Sequence, residues 1–304
     1  MSQLQPISPS LPLYLTTREL ADLLRVKERK VYDLVATGDV PHSRATGKLL
    51  FPREAVLAWI EHAGSGTQGF AEDLPNVVLG SHDPLLEWAL RESGSGLASL
   101  FDGSFDGLER LAERDGVAAG VHIPEDAPES GGETGWNVST VAERFGYRPV
   151  ALVEWAWRER GLIVARGNPV GLEGVADLRR ARVVQRQPKA GSQKLLERLL
   201  ASAGHDAGPS SGVVARDERD AALAVLDGRG DAALGLAAVA HQFQLDFVPL
   251  CRERYDLLVW RKAWFEPPMQ RLFDFCRTPA FAAMAESLGG YDVSGLGRVH
   301  FNGL

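Results

Sequence analysis

LTTRELADLLRVKERKVYDLVATGDVPHSRATGKLLFPREAVLAWI, residues 15–60, reads as three short helices with a tight turn and a hairpin between them. Thr16 or Thr17 caps the first helix, with Leu20, Leu23 and Leu24 spaced to form its inner face. Arg25-Val26-Lys27 makes the turn, and a second helix from Glu28 to Ala36 buries Val31, Leu34 and Val35. Gly38 supplies the left-handed residue that ends it. Val40–Phe51 has extended arms around Gly47, as a small β-wing would, and Pro52 opens a third helix to Glu61 with Val56, Trp59 and Ile60 inward. Two short helices joined by a tight turn form a helix-turn-helix, whose second helix can enter the major groove of DNA.

On either side of this stretch the pattern changes. The proline-bearing residues 1–13 read as a disordered arm, and the Gly/Ser-rich residues 64–74 as a flexible linker between the 14–63 domain and a larger one at 75–304. In the larger domain short apolar runs alternate with helical stretches. Expected strands lie at 76–81, 97–101, 117–123, 162–165, 182–186, 232–236 and 255–260. Helices are expected at 84–92, 108–114, 192–203, 218–226 and 267–277. That alternation is α/β with largely parallel sheets, and about 230 residues suits two lobes.

Bulk properties narrow the function. The 304 residues are 45% hydrophobic and 24% charged, as in ordinary globular proteins. Net charge is −7, yet residues 14–63 hold eight basic and seven acidic side chains, so only this head is suited to approach phosphates. No apolar run reaches the ~20 residues that span a bilayer, and residues 1–12 lack the basic and apolar regions of a secretory signal. Cys251 and Cys276 form no metal-spaced set, and reduced thiols fit a cytoplasmic location.

The 14–62 segment resembles the small winged helix-turn-helix modules of excisionases and MerR-type regulators. The resemblance implies double-stranded DNA as partner, with Lys27, Arg29, Lys30 and Tyr32 on or beside the recognition helix and Arg44 and Lys48 on the wing. The turn departs from the family pattern: Arg25 stands where Gly is common, and Lys27 where Ser or Thr is.

In the larger domain three Gly/Ser turns follow strands and open helices, at 80–84, 102–104 and 190–193. Unpaired N–H groups and a hydroxyl at such a turn make an anion pocket, although a simple N-cap is the common role. His82 and His122 stand at strand ends, suited equally to ligand contact or to capping and packing. Tyr255 opens an expected strand as hydroxyl donor or core residue, and Trp155, Trp157 and Trp260 read as core or hinge packing. No GxxxxGK[ST] or HExxH motif occurs and no GxGxxG opens a helix, which argues against an enzyme.

SHDPLLEWAL (81–90), VAAGVHIPED (117–126), residues 159–200 around GNP…RQPKAGSQ, and DAALGLAAVA…LDFVPLCRERYDLLV (231–259) resemble the substrate-binding-protein-like domain related to periplasmic molybdate-binding proteins. The resemblance implies a two-lobed type 2 periplasmic-binding-protein-like fold with ligand closed between the lobes. Ser81, His82, Ser104, His122, Arg186, Gly191, Ser192, Gln193 and Tyr255 are then cleft candidates. Together the two resemblances imply a one-component regulator, expected as a homodimer reading two half-sites, with molybdate or tungstate as effector. An organic anion such as a carboxylate is the alternative, favoured if Arg186 or Lys189 lines the cleft.

Overall fold

The computed structural model describes residues 12–44, 47–63, 74–125, 135–204 and 210–303. The chain divides into two compact units, 1–73 and 74–304. The first contains β1 (Tyr14–Leu15), α1 (Thr17–Leu24), α2 (Glu28–Thr37), β2 (Phe51–Pro52) and α3 (Arg53–Ala63). Thr16 caps α1 and exchanges hydrogen bonds with Glu19 in a reciprocal capping box. Gly38 ends α2 at φ +74°, the conformation its missing Cβ permits. Ser43 and Leu50 bridge antiparallel at the base of the wing, and β2 pairs with β1. Leu20, Val31, Val35, Phe51 and Val56 form the core. Leu23 is exposed, contrary to expectation; Leu20 and Ala21 take the inner face, with Leu24 partly buried.

In the second unit β3 (Val77–Gly80), α4 (Pro84–Glu92), β4 (Ala98–Phe101), α5 (Ser104–Ala112), β5 (Ala118–Val121) and α6 (Val138–Phe145) build one lobe. The chain leaves it along the 15-residue β6 (Val150–Val164). Then β7 (Val183–Arg186), α7 (Gly191–Ser202), β8 (Ser210–Ala215), α8 (Glu218–Leu226), β9 (Ala232–Leu236) and α9 (Ala237–Gln242) form the other. The equally long β10 (Asp246–Trp260) returns to the first lobe. There α10 (Arg261–Trp264), α11 (Pro267–Cys276), α12 (Pro279–Leu288), β11 (Tyr291–Asp292) and β12 (Val299–Asn302) complete the unit.

The sheet order is β4-β3-β5-β10-β6-β9-β7-β8, parallel among β3, β4 and β5 and among β7, β8 and β9. The two long strands pair antiparallel along their lengths, with register shifts at Pro249/Cys251 and Tyr255/Asp256. They are the crossing connection between lobes. The short strands expected at 162–165 and 255–260 are thus only the apolar ends of β6 and β10, whose middles carry charges that break an apolar pattern. Tyr255 accordingly lies inside β10 rather than opening it. Trp155 is fully buried against Phe273 and Phe281, a core role. The 1–11 and 64–73 expectations lie outside the described residues, as does most of the 124–136 loop, whose ends Pro124 and Trp136 are bridged.

Candidate functional site

On the second helix of the small unit, Lys27, Arg29, Lys30 and Tyr32 are all exposed, as are Arg44 and Lys48 of the wing. The turn shows what its departures cost. Arg25 sits at φ +54°, left-handed backbone that suits Gly. Lys27 occupies the N-cap of α2 without a side-chain hydrogen bond, where a Ser or Thr hydroxyl would satisfy a free N–H.

In the larger unit the strand ends meet between the lobes. Ser81 and Ser104, at the ends of β3 and the start of α5, are buried with hydroxyls 2.8 Å apart. Ser104 Oγ also accepts from the His122 backbone N–H at 3.2 Å. From the other lobe Gly191, opening α7, lies so close that a Cβ there would stand 2.7 Å from the His122 carbonyl. Gly103 likewise abuts the Lys189 carbonyl. Two ion pairs link the lobes further out, Glu109–Lys189 at 2.5 Å and Glu87–Arg219 at 2.7 Å.

The floor of this cleft is a chain of buried charges. Arg158 and Arg160 are two apart on β6 and so share a face. Arg158 donates to Asp83 Oδ2 at 2.9 Å and to Glu253 Oε1. Arg160 stands 3.5 Å from Glu253 Oε2 and donates to Glu218 Oε1 at 3.0 Å and Ser192 Oγ at 2.6 Å. Ser192 in turn donates to Glu218, and Arg186 reaches the same oxygen at 3.0 Å. Asp83, Arg158, Glu253, Arg160, Glu218 and Arg186 therefore alternate in sign and cancel. A buried ion costs several kcal/mol unless paired, and here each charge has an opposite one beside it. Burial works against the carboxylate of Glu253, but Arg158 and Arg160 outweigh it and hold the group at about 2. Burial likewise opposes Glu218, and Arg160 and Arg186 pull it well below the usual carboxylate range.

Burial drives the His122 imidazole below its ordinary pKa, with Glu253 only partly offsetting. A neutral His122 3.0 Å from an ionised carboxylate must donate from Nδ1, because the carboxylate only accepts. Tyr255 lies stacked on His122 with Arg158 4.3 Å over its ring, and donates to the Ser81 carbonyl at 2.5 Å. Its hydroxyl is thereby spent on positioning the Ser81 turn.

The structure thus brings Ser81, Ser104, His122, Gly191, Ser192 and Tyr255 together where the two lobes meet. His82 turns to the rim, against Glu87 and Phe101. Gln193 accepts from the Arg186 backbone N–H and positions the turn. Arg186 donates to Glu218 and to the Ala215 and Arg216 carbonyls through all three of its nitrogens. Asp83, Arg158, Arg160, Glu218 and Glu253 were missed from sequence. For Arg158, Arg160 and Glu253 the one signal is charged residues amid the buried tryptophans and leucines of β6 and β10, whereas Asp83 and Glu218 stand at helix starts where acids are ordinary. Two buried guanidinium N–H groups, Arg158 Nε and Arg160 Nε, have no hydrogen-bond acceptor among the described residues. Among those residues no group of three or more His, Cys, Asp or Glu is arranged to hold a metal ion.

Comparison with known proteins matches residues 86–277 to the PBP superfamily domain and residues 14–64 to a helix-turn-helix domain. Uncharacterized protein YvgK of Bacillus subtilis (strain 168) is 25% identical over 305 residues, covering 93% of this chain and 96% of that protein. A Clostridium pasteurianum protein encoded in the 5′ region of a ferredoxin 2Fe-2S gene is 34% identical over 79 residues, 26% of this chain and 70% of that one. Among solved structures, a Clostridium perfringens ABC-transporter substrate-binding protein with bound phosphate superposes with a TM-score of 0.51. It is 12% identical, with 70% of this chain and 96% of that one covered, a likeness of fold. No helix among the described residues is long and apolar enough to cross a membrane.

Proposed function

From a chain that belongs to the PBP superfamily domain family and carries a helix-turn-helix domain ahead of it, we propose a DNA-binding transcriptional regulator that senses a small oxoanion, molybdate or tungstate, between its lobes. The observation that carries the ligand reading is the charge balance of the cleft floor. Three arginines face three carboxylates, so no surplus positive charge waits for a carboxylate ligand. What remains is a set of donors: the Ser81–Ser104 hydroxyl pair, the N-terminus of α7 and the Arg158 Nε–H, which has no acceptor among the described residues. Donors gathered at one place between the lobes suit a tetrahedral oxoanion held by hydrogen bonds once the lobes part to admit it. Arg186 favoured an organic anion only while it was free, and its three bonds remove that argument.

In this reading ligand closes the lobes, and closure changes how two winged heads of a homodimer are spaced on paired half-sites. The coupling requires that the anion bind one arrangement more tightly than the other. The exposed Lys27, Arg29, Lys30, Arg44 and Lys48 contact phosphates, and Arg29 or Arg44 also reads guanine edges. The test is a gel shift of the full chain on DNA from its own upstream region, with a thermal-shift panel of molybdate, tungstate, sulfate, phosphate and short carboxylates. The expected result is DNA binding that changes with an oxoanion, and a melting rise that Ser104→Ala reduces. Absence of DNA binding at low salt sinks the regulator; a rise with carboxylates alone sinks the oxoanion.

A further inference from the structure

A second concave site lies on the flank of the two-lobed unit. It is a groove of about 350 Å³ between α4, α8, α9 and α12, within the size range of small-molecule sites. Its floor is apolar, from Pro84 and Trp88 of α4 and Met284 and Leu288 of α12. Its rim is cationic, from Arg91 of α4 and Arg219 of α8.

The charges at the rim do not cancel, in contrast to those of the cleft. Glu87 is the acid paired with both arginines: Arg219 lies at 2.7 Å and Arg91 at 3.9 Å, while His82 takes a further contact at 3.1 Å. One carboxylate thus serves two permanent cations and leaves one positive charge over. Arg219 Nε is moreover a buried N–H with no acceptor among the described residues. An anion completes that donor set, but a bare inorganic ion would leave Trp88, Met284 and Leu288 against water. A ligand with one carboxylate and an apolar body satisfies both surfaces.

We propose that this groove is a second effector site, for an amphipathic monocarboxylate of roughly six to nine carbons, a size set by the groove volume. Its carboxylate pairs with Arg91 and Arg219, and its apolar part lies on Trp88, Met284 and Leu288. Because α4 belongs to one lobe and α8 to the other, the occupant bridges them and favours the closed arrangement. The site is therefore coupled to the cleft through lobe closure, whichever ligand the cleft takes.

The test is calorimetric titration of the full chain with octanoate and 3-phenylpropionate, with octanamide as the uncharged control. Saturable binding of an acid, at least about tenfold tighter than octanamide, is expected from a charge-assisted pair. Ser287→Trp fills the groove from an exposed position of α12 and is expected to abolish binding. Arg91→Gln removes one charge with little risk to folding and is expected to weaken binding by about threefold to tenfold. Failure of both acids to saturate, equal affinity for octanamide, or unchanged affinity in Arg91→Gln overturns the proposal. Oxoanion binding measured on the same variants is expected to persist, so failure of this site is distinguishable from failure of the cleft.

Discussion

The small unit and the two-lobed unit handle charge in opposite ways. Among the described residues the small unit buries no charged side chain, and its lysines and arginines are exposed apart from a half-buried Arg53. There a cation costs little and remains available for phosphate. The two-lobed unit buries Asp83, Glu154, Arg158, Arg160, Glu218, Glu253 and Asp256. Most of these lie on the crossing strands or face them, where opposite charges lock one register of β6 against β10 and against both lobes. Charge is thus held at the surface in one unit and built into a framework in the other. A basic residue near a cleft is therefore no guide to the ligand's charge until its partners are known, as Arg186 demonstrates.

The sharpest way to break this comparison is Arg158→Ala. It strands Asp83 and Glu253 without their shared cation, and removing one partner of a buried ion pair costs about 3–5 kcal/mol. Calorimetry should show the two-lobed unit melting far lower with the small unit unmoved. A loss below about 1 kcal/mol would make the charge chain incidental to stability.

Acid should separate the units next. Glu253 has a depressed folded pKa of about 2, so its contribution is complete above its ordinary value and is lost as pH falls from about 4.5 toward 2. His122 adds to the loss from higher pH: its folded pKa is lowered, so below about 6.5 the unfolded chain takes up a proton that the folded chain refuses. Both act in the same direction, and the two-lobed unit should lose a few kcal/mol over this range. In the small unit the one shifted group among the described residues is exposed Glu19, lowered by its hydrogen bonds to Thr16. Circular dichroism of each separately expressed unit against pH checks the contrast; parallel acid curves would remove it.

The smallest expected effect sharpens the comparison from the other side. Lys27→Ser supplies the absent N-cap of α2 and should stabilise the small unit by about 1 kcal/mol. If Lys27 contacts a phosphate, the same substitution should weaken DNA binding and lower its salt slope by about one. Greater stability with unchanged salt dependence would show that Lys27 is not a contact.

Local signals made the small unit readable. Thr16, Gly38 and Gly47 each act within a few residues and fall where expected, while Pro52 ends β2 one residue before α3 rather than opening the helix itself. The helices at 84–92 and 218–226 and the strand at 232–236 were legible for the same reason. Failures cluster where partners are distant in sequence. The middles of β6 and β10 read as polar connections because Arg158, Arg160 and Glu253 resemble surface residues until they neutralise one another. Helices α6 and α12 were also overlooked. Ser81, Ser104 and Ser192 were legible as hydroxyls at helix starts, whereas Glu218 sits in a first turn where acids are ordinary.

By itself the sequence determined an N-terminal helix-turn-helix and an α/β unit behind it, because capping, periodicity and turn chemistry are short-range. Only the tertiary structure decided that the arginines of the cleft are already neutralised. Asp83 and Arg158 are 75 residues apart and Arg158 and Glu253 95 apart, and whether such charges meet depends on the pairing of two long strands. That pairing makes a neutral framework of charges that the sequence presents as ordinary surface residues.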